Sequence, residues 1–161
     1  MCGIVGVVAQ RSATPILIRG LQRLEYRGYD SAGLAIVDAN GALKRLREVG
    51  KVQNLVDAVE RTPVSGGTGI AHTRWATHGK VTADNAHPHL STSADADDAV
   101  CLVHNGIIEN HVALREELQG LGYKFTSQTD SEVIVHLIHH YLTAVSDLLE
   151  AVRQAVRRLD G

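Results

Sequence analysis

The 161 residues predict an α+β fold in which helices cover antiparallel sheets. Three observations carry this expectation: strand-like runs dominate the first part of the chain, a hairpin signal joins two of them, and the final third has helical periodicity. Gly3 to Ala9 is apolar and β-branched, which reads as a strand. Thr14-Pro15 then opens a helix, with proline in the first turn and Leu17, Leu21 and Leu24 at helical spacing. Leu34 to Val37 and Leu43 to Val49 flank Ala39-Asn40-Gly41. Asparagine and glycine accept the positive φ angles of a hairpin turn, so these runs pair antiparallel. A short helix is predicted over 52–61, ended by Pro63 and Ser65-Gly66-Gly67, before a strand over 68–73. The next strand is predicted over 100–104. The connection over 76–99 is long enough to suggest a functional loop or lid. Helices follow over 112–121, around Val133, Leu137, Ile138 and Tyr141, and around Leu148, Val152, Val156 and Leu159. Asp130-Ser131 and Ser146 are expected as N-caps.

Composition narrows the function. With 44% hydrophobic residues and no low-complexity tract, the chain reads as one domain over 1–161. Sixteen basic and eighteen acidic residues give a formal charge of −2. They form neither a basic stripe nor an acidic tail, so neither nucleic acid nor a membrane is an expected partner, and small molecules are the ligand class. The start lacks a basic, apolar leader and no long apolar run occurs, so a cytoplasmic protein is expected. Two cysteines, Cys2 and Cys101, are too few for a disulfide framework. Cys101, within Ala-Val-Cys-Leu-Val, is expected as a buried strand residue.

Cys2 is the residue with the most chemistry in it. Removal of Met1 would make it the N-terminus, joining a nucleophilic thiol and a basic α-amine in one residue. That amine has an unperturbed pKa of about 7.7–8.0, so it can accept the thiol proton directly or through water. Four polar islands sit at or near predicted strand ends: residues 27–31, 72–79, 104–110 and 129–132. An amide-hydrolysing thiol needs an oxyanion hole, which the Asn105 side-chain amide and the Gly106 backbone N–H can supply. Taken alone, Asn105-Gly106 also reads as a simple turn. Arg74 has the two-pronged guanidinium that grips a carboxylate, and Asp130 can receive an ammonium. Their plainer readings are a surface cation and a helix cap.

Read in order, Cys-Gly-Ile-Val-Gly behind Met1, Arg-Leu-Glu-Tyr-Arg-Gly-Tyr-Asp-Ser-Ala-Gly, His-Thr-Arg-Trp-Ala-Thr-His-Gly, Asn-Ala-His-Pro-His, His-Asn-Gly-Ile-Ile-Glu-Asn and Thr-Asp-Ser-Glu-Val span nearly the whole chain. Together they resemble the glutaminase half of the glucosamine-6-phosphate synthases, the isomerizing glutamine–fructose-6-phosphate aminotransferases, which are class II amidotransferases. The resemblance implies a four-layer αββα fold of the N-terminal-nucleophile type. It implies Cys2 as nucleophile, Asn105 and Gly106 as oxyanion hole, and glutamine held by Arg74, Thr77, His78, Gly106 and Asp130. Arg27, His72, Trp75, His87 and His104 are expected to shape or cover the pocket. Glu25 to Asp30 and Thr73 to His78 favour this member over another class II enzyme such as amidophosphoribosyltransferase. A non-catalytic glutamine-binding fragment is the remaining alternative.

The resemblance also implies that ammonia is passed on to convert fructose 6-phosphate into glucosamine 6-phosphate. Because that family's glutaminase half has further strands and then an isomerase half, the chain is expected to be a truncated glutaminase domain. Fructose 6-phosphate would then be bound only through the absent isomerase half, and the full-length enzyme is expected to be a homo-oligomer. The polar stretch Ser91 to Ala99 looks longer than the family's connection and is expected to be an exposed insertion. No cofactor is expected. His136, His139 and His140 have helical spacing, yet no cysteine or carboxylate cluster completes a zinc set, so no metal is expected either. Gly66-Gly67-Thr68-Gly69 lacks the lysine of a phosphate loop, and Asp30-Ser31-Ala32-Gly33 lacks the spacing of a nucleophile elbow.

Overall fold

The computed structural model describes residues 2–76, 79–91 and 99–161 and divides into two compact units. One contains Met1–Pro88 with Val103–Asn105, the other His89–Leu102 with Gly106–Gly161.

In the first unit β1 (Gly3–Val8), β2 (Ser31–Val37), β3 (Leu43–Val49) and β4 (Thr68–Arg74) form one antiparallel sheet in the order β1-β4-β2-β3. Two helices, α1 (Thr14–Leu24) and α2 (Val52–Arg61), pack on it. Side chains alternate across a strand, so Ala32, Leu34 and Ile36 of β2 and Ala71 of β4 share a face. They form one core with Leu17 and Leu21 of α1 and Val52 and Leu55 of α2. Each fully buried leucine or isoleucine contributes about 1.5–3 kcal/mol.

Local chemistry explains the element ends. Pro15 occupies the first turn of α1, and Thr14 Oγ1 donates to the Val64 carbonyl at 2.7 Å. In the β2–β3 turn, Asp38 Oδ1 accepts from the backbone N–H groups of Asn40 and Ala42, and Gly41 takes φ +81°. A free N–H at the start of α2, that of Val52, donates to the Tyr29 hydroxyl at 2.7 Å. That hydroxyl donates in turn to the Glu25 carboxylate. Burial, reinforced by the bond to Glu25, pushes the Tyr29 pKa up to about 12. Tyr29 therefore braces a helix start, while Glu25–Arg27 forms a short 3-10 turn.

The second unit holds the two-stranded sheet β5 (His89–Ser91) and β6 (Val100–Leu102), with α3 (His111–Gly120), α4 (Ser131–Val145) and α5 (Leu148–Val156). Residues 131–139 of α4 are all buried, so this part of the helix is enclosed on every side and organises the unit's core with Leu114, Leu118, Ala151 and Ala155.

Several expectations change. The strand expected over 100–104 stops at Leu102, and Cys101 within it is half-buried, not a core residue. The connection over 76–99 contains β5, whose three residues are too few to show a period. Ser146 caps the C-terminal end of α4 in the left-handed region at φ +55°; the N-cap of α5 is Asp147, which accepts from Glu150 N at 2.7 Å. Asp130 stands at the N-cap position of α4 but makes no side-chain capping bond there. Of the expected insertion at 91–99, residues 92–98 lie outside the described residues.

Candidate active site

β4 is the rail of the site in the first unit. Gly3 pairs with Thr73, which brings Cys2 to the C-terminal end of β4, where Arg74 and Trp75 follow. Cys2 Sγ accepts a hydrogen bond from the Trp75 backbone N–H at 3.3 Å and lies 3.7 Å from the Trp75 carbonyl oxygen. These two backbone groups hold the sulfur at the end of β4. The Trp75 indole rests over Gly28, where φ is +72° and a Cβ would come within 2.7 Å of the ring. Only glycine suits that position, because it alone combines the backbone angle with the clearance. The indole remains 52% exposed.

Asp30 ties these residues together. Its backbone N–H donates to the Arg74 carbonyl at 2.7 Å, its Oδ2 accepts from Ala76 N, and its Oδ1 accepts from Ser31 Oγ at 2.9 Å. The same carboxylate lies 4.0 Å from the Arg74 guanidinium, which is only 6% exposed. A buried guanidinium needs such a partner.

His72, two residues earlier on the same face of β4, is 1% exposed. Its Nε2 lies 2.7 Å from Asn105 Oδ1, and its ring stacks on His87 with centroids 4.2 Å apart. Burial, the dominant cause, brings its pKa down to about 4, so the ring is neutral near pH 7. Residues 84–88 cross this face, held by Arg47, which donates to the carbonyls of Asp84 (3.0 Å) and Ala86 (3.1 Å), and by Arg45, which donates to that of Pro88 (3.3 Å). His104 N donates weakly to His87 Nδ1 at 3.4 Å.

In the second unit two charged side chains hold the loop that leads to Asp130. Glu132 is buried and accepts from the backbone N–H groups and hydroxyls of Thr126 and Ser127 at 2.7–2.9 Å. Burial pushes its pKa up, but His136, the Thr126 N–H and both donors of Ser127 outweigh it and hold the carboxyl far below its usual range. From the other side Arg115 donates to the carbonyls of Ser127 (3.2 Å) and Thr129 (2.7 Å). The loop before α4 thus has both its N–H and C=O groups satisfied by side chains. Asp130 Oδ2 accepts from Ile108 N at 2.7 Å.

The first unit therefore brings together Cys2, His72, Arg74, Trp75, His87, His104 and Asn105. Asp130 and Gly106 belong to the second unit, Gly106 being exposed and directly after Asn105 in the chain. Arg27 is exposed, its Nε donating to the Tyr26 hydroxyl at 3.0 Å. Thr77 and His78 lie outside the described residues. Sequence reasoning assigned nothing to Asp30, Arg47, Arg115 or Glu132. Asp30 and Glu132 stand within motifs that the sequence singles out, without a role of their own; Arg47 and Arg115 carry no local signal, since their carbonyl partners are backbone groups. His136 and His139 bond Ser91 Oγ (2.7 Å) and the Tyr123 hydroxyl (2.8 Å).

A thiol facing a backbone N–H, and an exposed side-chain amide beside a buried histidine, are the kinds of group that attack on a carboxamide would use. The glutamine amidotransferase domain profile matches residues 72–161, and the chain belongs to that family. Over all 161 residues it is 63% identical to the glutamine–fructose-6-phosphate aminotransferase (isomerizing) of Pseudomonas putida, covering 26% of that protein. The corresponding enzymes of Pseudomonas aeruginosa and Vibrio cholerae are 62% and 61% identical over the same span. The chain thus spans about a quarter of the length of the curated relatives it matches. Among solved structures, the Bacillus subtilis glutamine phosphoribosylpyrophosphate amidotransferase, complexed with ADP and GMP, matches with TM-score 0.83 at 27% identity, over all of this chain and 33% of that one. A regulatory enzyme of purine biosynthesis gives 0.84, also at 27% identity, over 34% of its own chain. These matches bear out the glutaminase fold of N-terminal-nucleophile type expected from the sequence. Among the described residues no helix is long and apolar enough to cross a membrane.

Proposed function

We propose that this chain is the glutamine-hydrolysing part of an aminosugar synthase, with Cys2 as its nucleophile once Met1 is removed. The Cys2 sulfur attacks the side-chain carboxamide carbon of glutamine while its proton passes to the Cys2 α-amine, directly or through water. The tetrahedral oxyanion takes hydrogen bonds from the Asn105 side-chain amide and the Gly106 N–H. The C–N bond breaks, the amine returns its proton to the leaving nitrogen, and ammonia departs. Water then cleaves the thioester and gives glutamate. Arg74, with Asp30 beside it, receives the α-carboxylate of glutamine and Asp130 its α-ammonium, with Thr77 and His78 completing the binding set. Arg27, Trp75, His87 and His104 shape the pocket.

The contact of Cys2 Sγ with the Trp75 N–H supports this reading, since it holds the sulfur at the end of β4 next to Arg74. The 63% identity to aminotransferases, against 27% to the phosphoribosylpyrophosphate enzyme, favours the aminosugar branch. In the complete enzyme, a cytoplasmic homo-oligomer, the ammonia converts fructose 6-phosphate to glucosamine 6-phosphate in an isomerase half.

The test is glutamine-dependent release of ammonia and glutamate by the full-length enzyme, with the N-terminus read by mass spectrometry. Enzyme beginning at Cys2 should turn over, and Cys2→Ala should remove activity. Turnover by protein retaining Met1 would eliminate the α-amine as base, because an amide nitrogen has no basic lone pair. Turnover by Cys2→Ala would eliminate the nucleophile.

A further inference from the structure

We propose that His72 is a positioning residue for the oxyanion hole: its Nε2–H holds the Asn105 side-chain oxygen, leaving the Asn105 NH2 as the end offered to the reacting carbonyl. This inference rests on reading Asn105 as an oxyanion donor.

A primary amide has two ends of similar size and opposite polarity. Only the NH2 end can stabilise an oxyanion; the oxygen end would repel it. Something must therefore choose between the two orientations, and the surroundings of His72 make that choice. Asn105 Oδ1 can only accept, so a ring nitrogen 2.7 Å away must carry the proton. His72 is neutral near pH 7, so its single N–H is then on Nε2 and Nδ1 is a bare lone pair. Nδ1 is indeed buried without a hydrogen-bond partner. The opposite tautomer would turn the amide round and leave an N–H at that same buried site, where no acceptor stands in hydrogen-bond geometry. A buried donor without an acceptor is the costlier orphan, so the ring's surroundings select the tautomer and the tautomer selects the amide orientation.

The ring is also fixed in space. β4 lies between β1 and β2, so the His72 backbone is paired with Ile4 on one side and Gly33 on the other. The His87 ring covers its face, and His87 belongs to the segment that Arg45 and Arg47 hold against the sheet. Asn105, in contrast, is exposed, and His72 is its one side-chain partner among the described residues. A rigid buried acceptor-binder behind an exposed amide is the form that electrostatic preorganisation takes.

The test is a double-mutant cycle in the full-length enzyme. His72→Leu should lower kcat for glutamine hydrolysis by about 10²-fold with KM little changed, as removal of one oxyanion donor does. Asn105→Ala should do the same. In the Asn105→Ala background, His72→Leu should cost less than about threefold more, because the group it positions is already gone. His72→Gln, whose side-chain amide can donate to the same oxygen, should recover most of the activity. Full additivity of the two losses, or a His72→Leu effect confined to KM, overturns the positioning role. Wild-type kcat in Asn105→Ala removes the oxyanion reading itself, and the inference with it. Should His72→Leu not fold, long-range proton–nitrogen spectra of the wild-type ring decide: protonated Nε2 with bare Nδ1 supports the proposal, and the reverse tautomer refutes it.

Discussion

Alternate residues of β2 and β4 meet entirely different surroundings. Ala32, Leu34, Ile36 and Ala71 lie under α1 and α2, where neighbours are aliphatic and the gain from contact scales with area. Ser31, Gly33, His72 and Arg74 occupy the opposite face, where single hydrogen bonds and charge contacts decide the geometry. Gly33 shows how close the packing is there: a Cβ at that position would collide with the His87 carbonyl oxygen. An area-based face can absorb change by repacking, but a point-contact face cannot, because a lost donor has no substitute nearby.

The largest expected effect that tests this contrast is on the apolar side. Leu21→Ala should lower stability by about 2–5 kcal/mol in chemical denaturation, while kcat of the remaining folded enzyme stays at the wild-type value. A fall in kcat per folded molecule would mean that the two faces are coupled. Next comes the pH dependence of stability. Because burial holds the folded His72 pKa near 4, against an ordinary value of about 6.5, the unfolded chain binds this proton more readily. The neutral ring's contribution is complete above about pH 6.5 and is lost as pH falls toward 4, a change of about 3 kcal/mol. His72→Gln should flatten that part of a stability–pH curve, and an unchanged slope would show that another group carries it.

Arg74→Lys keeps the charge but removes the fork, so KM for glutamine should rise about 10- to 100-fold with a smaller change in kcat. A pure kcat effect would show that Arg74 does not bind ground-state substrate. The smallest effect is expected from Leu21→Met, which conserves volume and should cost under about 1.5 kcal/mol. A cost equal to that of Leu21→Ala would show that the apolar face, too, depends on shape in detail.

The two faces also differed in how readable they were. Periodicity places α1 through Leu17, Leu21 and Leu24, because burying one helix face imposes a repeat on nearby residues, and the breakers Pro63 and Ser65-Gly66-Gly67 mark the end of α2, which spans Val52–Arg61 as expected. The β2–β3 hairpin was legible for a similar reason, its turn chemistry lying within Asp38 to Ala42. Nothing local announces that Arg47 binds the carbonyls of Asp84 and Ala86, or that Arg115 holds those of Ser127 and Thr129. Those partners are backbone groups, which every residue possesses. Cys2, Arg74 and Asn105 were found through their motifs, but the contacts that orient them, Trp75 N–H, Asp30 and His72, depend on strand register. β5 is not legible because three residues cannot establish alternation, and Ser146 reads as an N-cap from its residue type alone, a role that its neighbour Asp147 performs.

The packing of Trp75 over Gly28 has a practical consequence. It is the chain's one tryptophan, half in solvent, and its own backbone N–H meets the sulfur of Cys2. Intrinsic tryptophan fluorescence of the domain therefore comes from a reporter beside the Cys2 sulfur, with no label to attach. Alkylation of Cys2, or glutamine entering and shielding the indole, should register as a change in emission wavelength or intensity, and rapid mixing could follow site occupancy in real time.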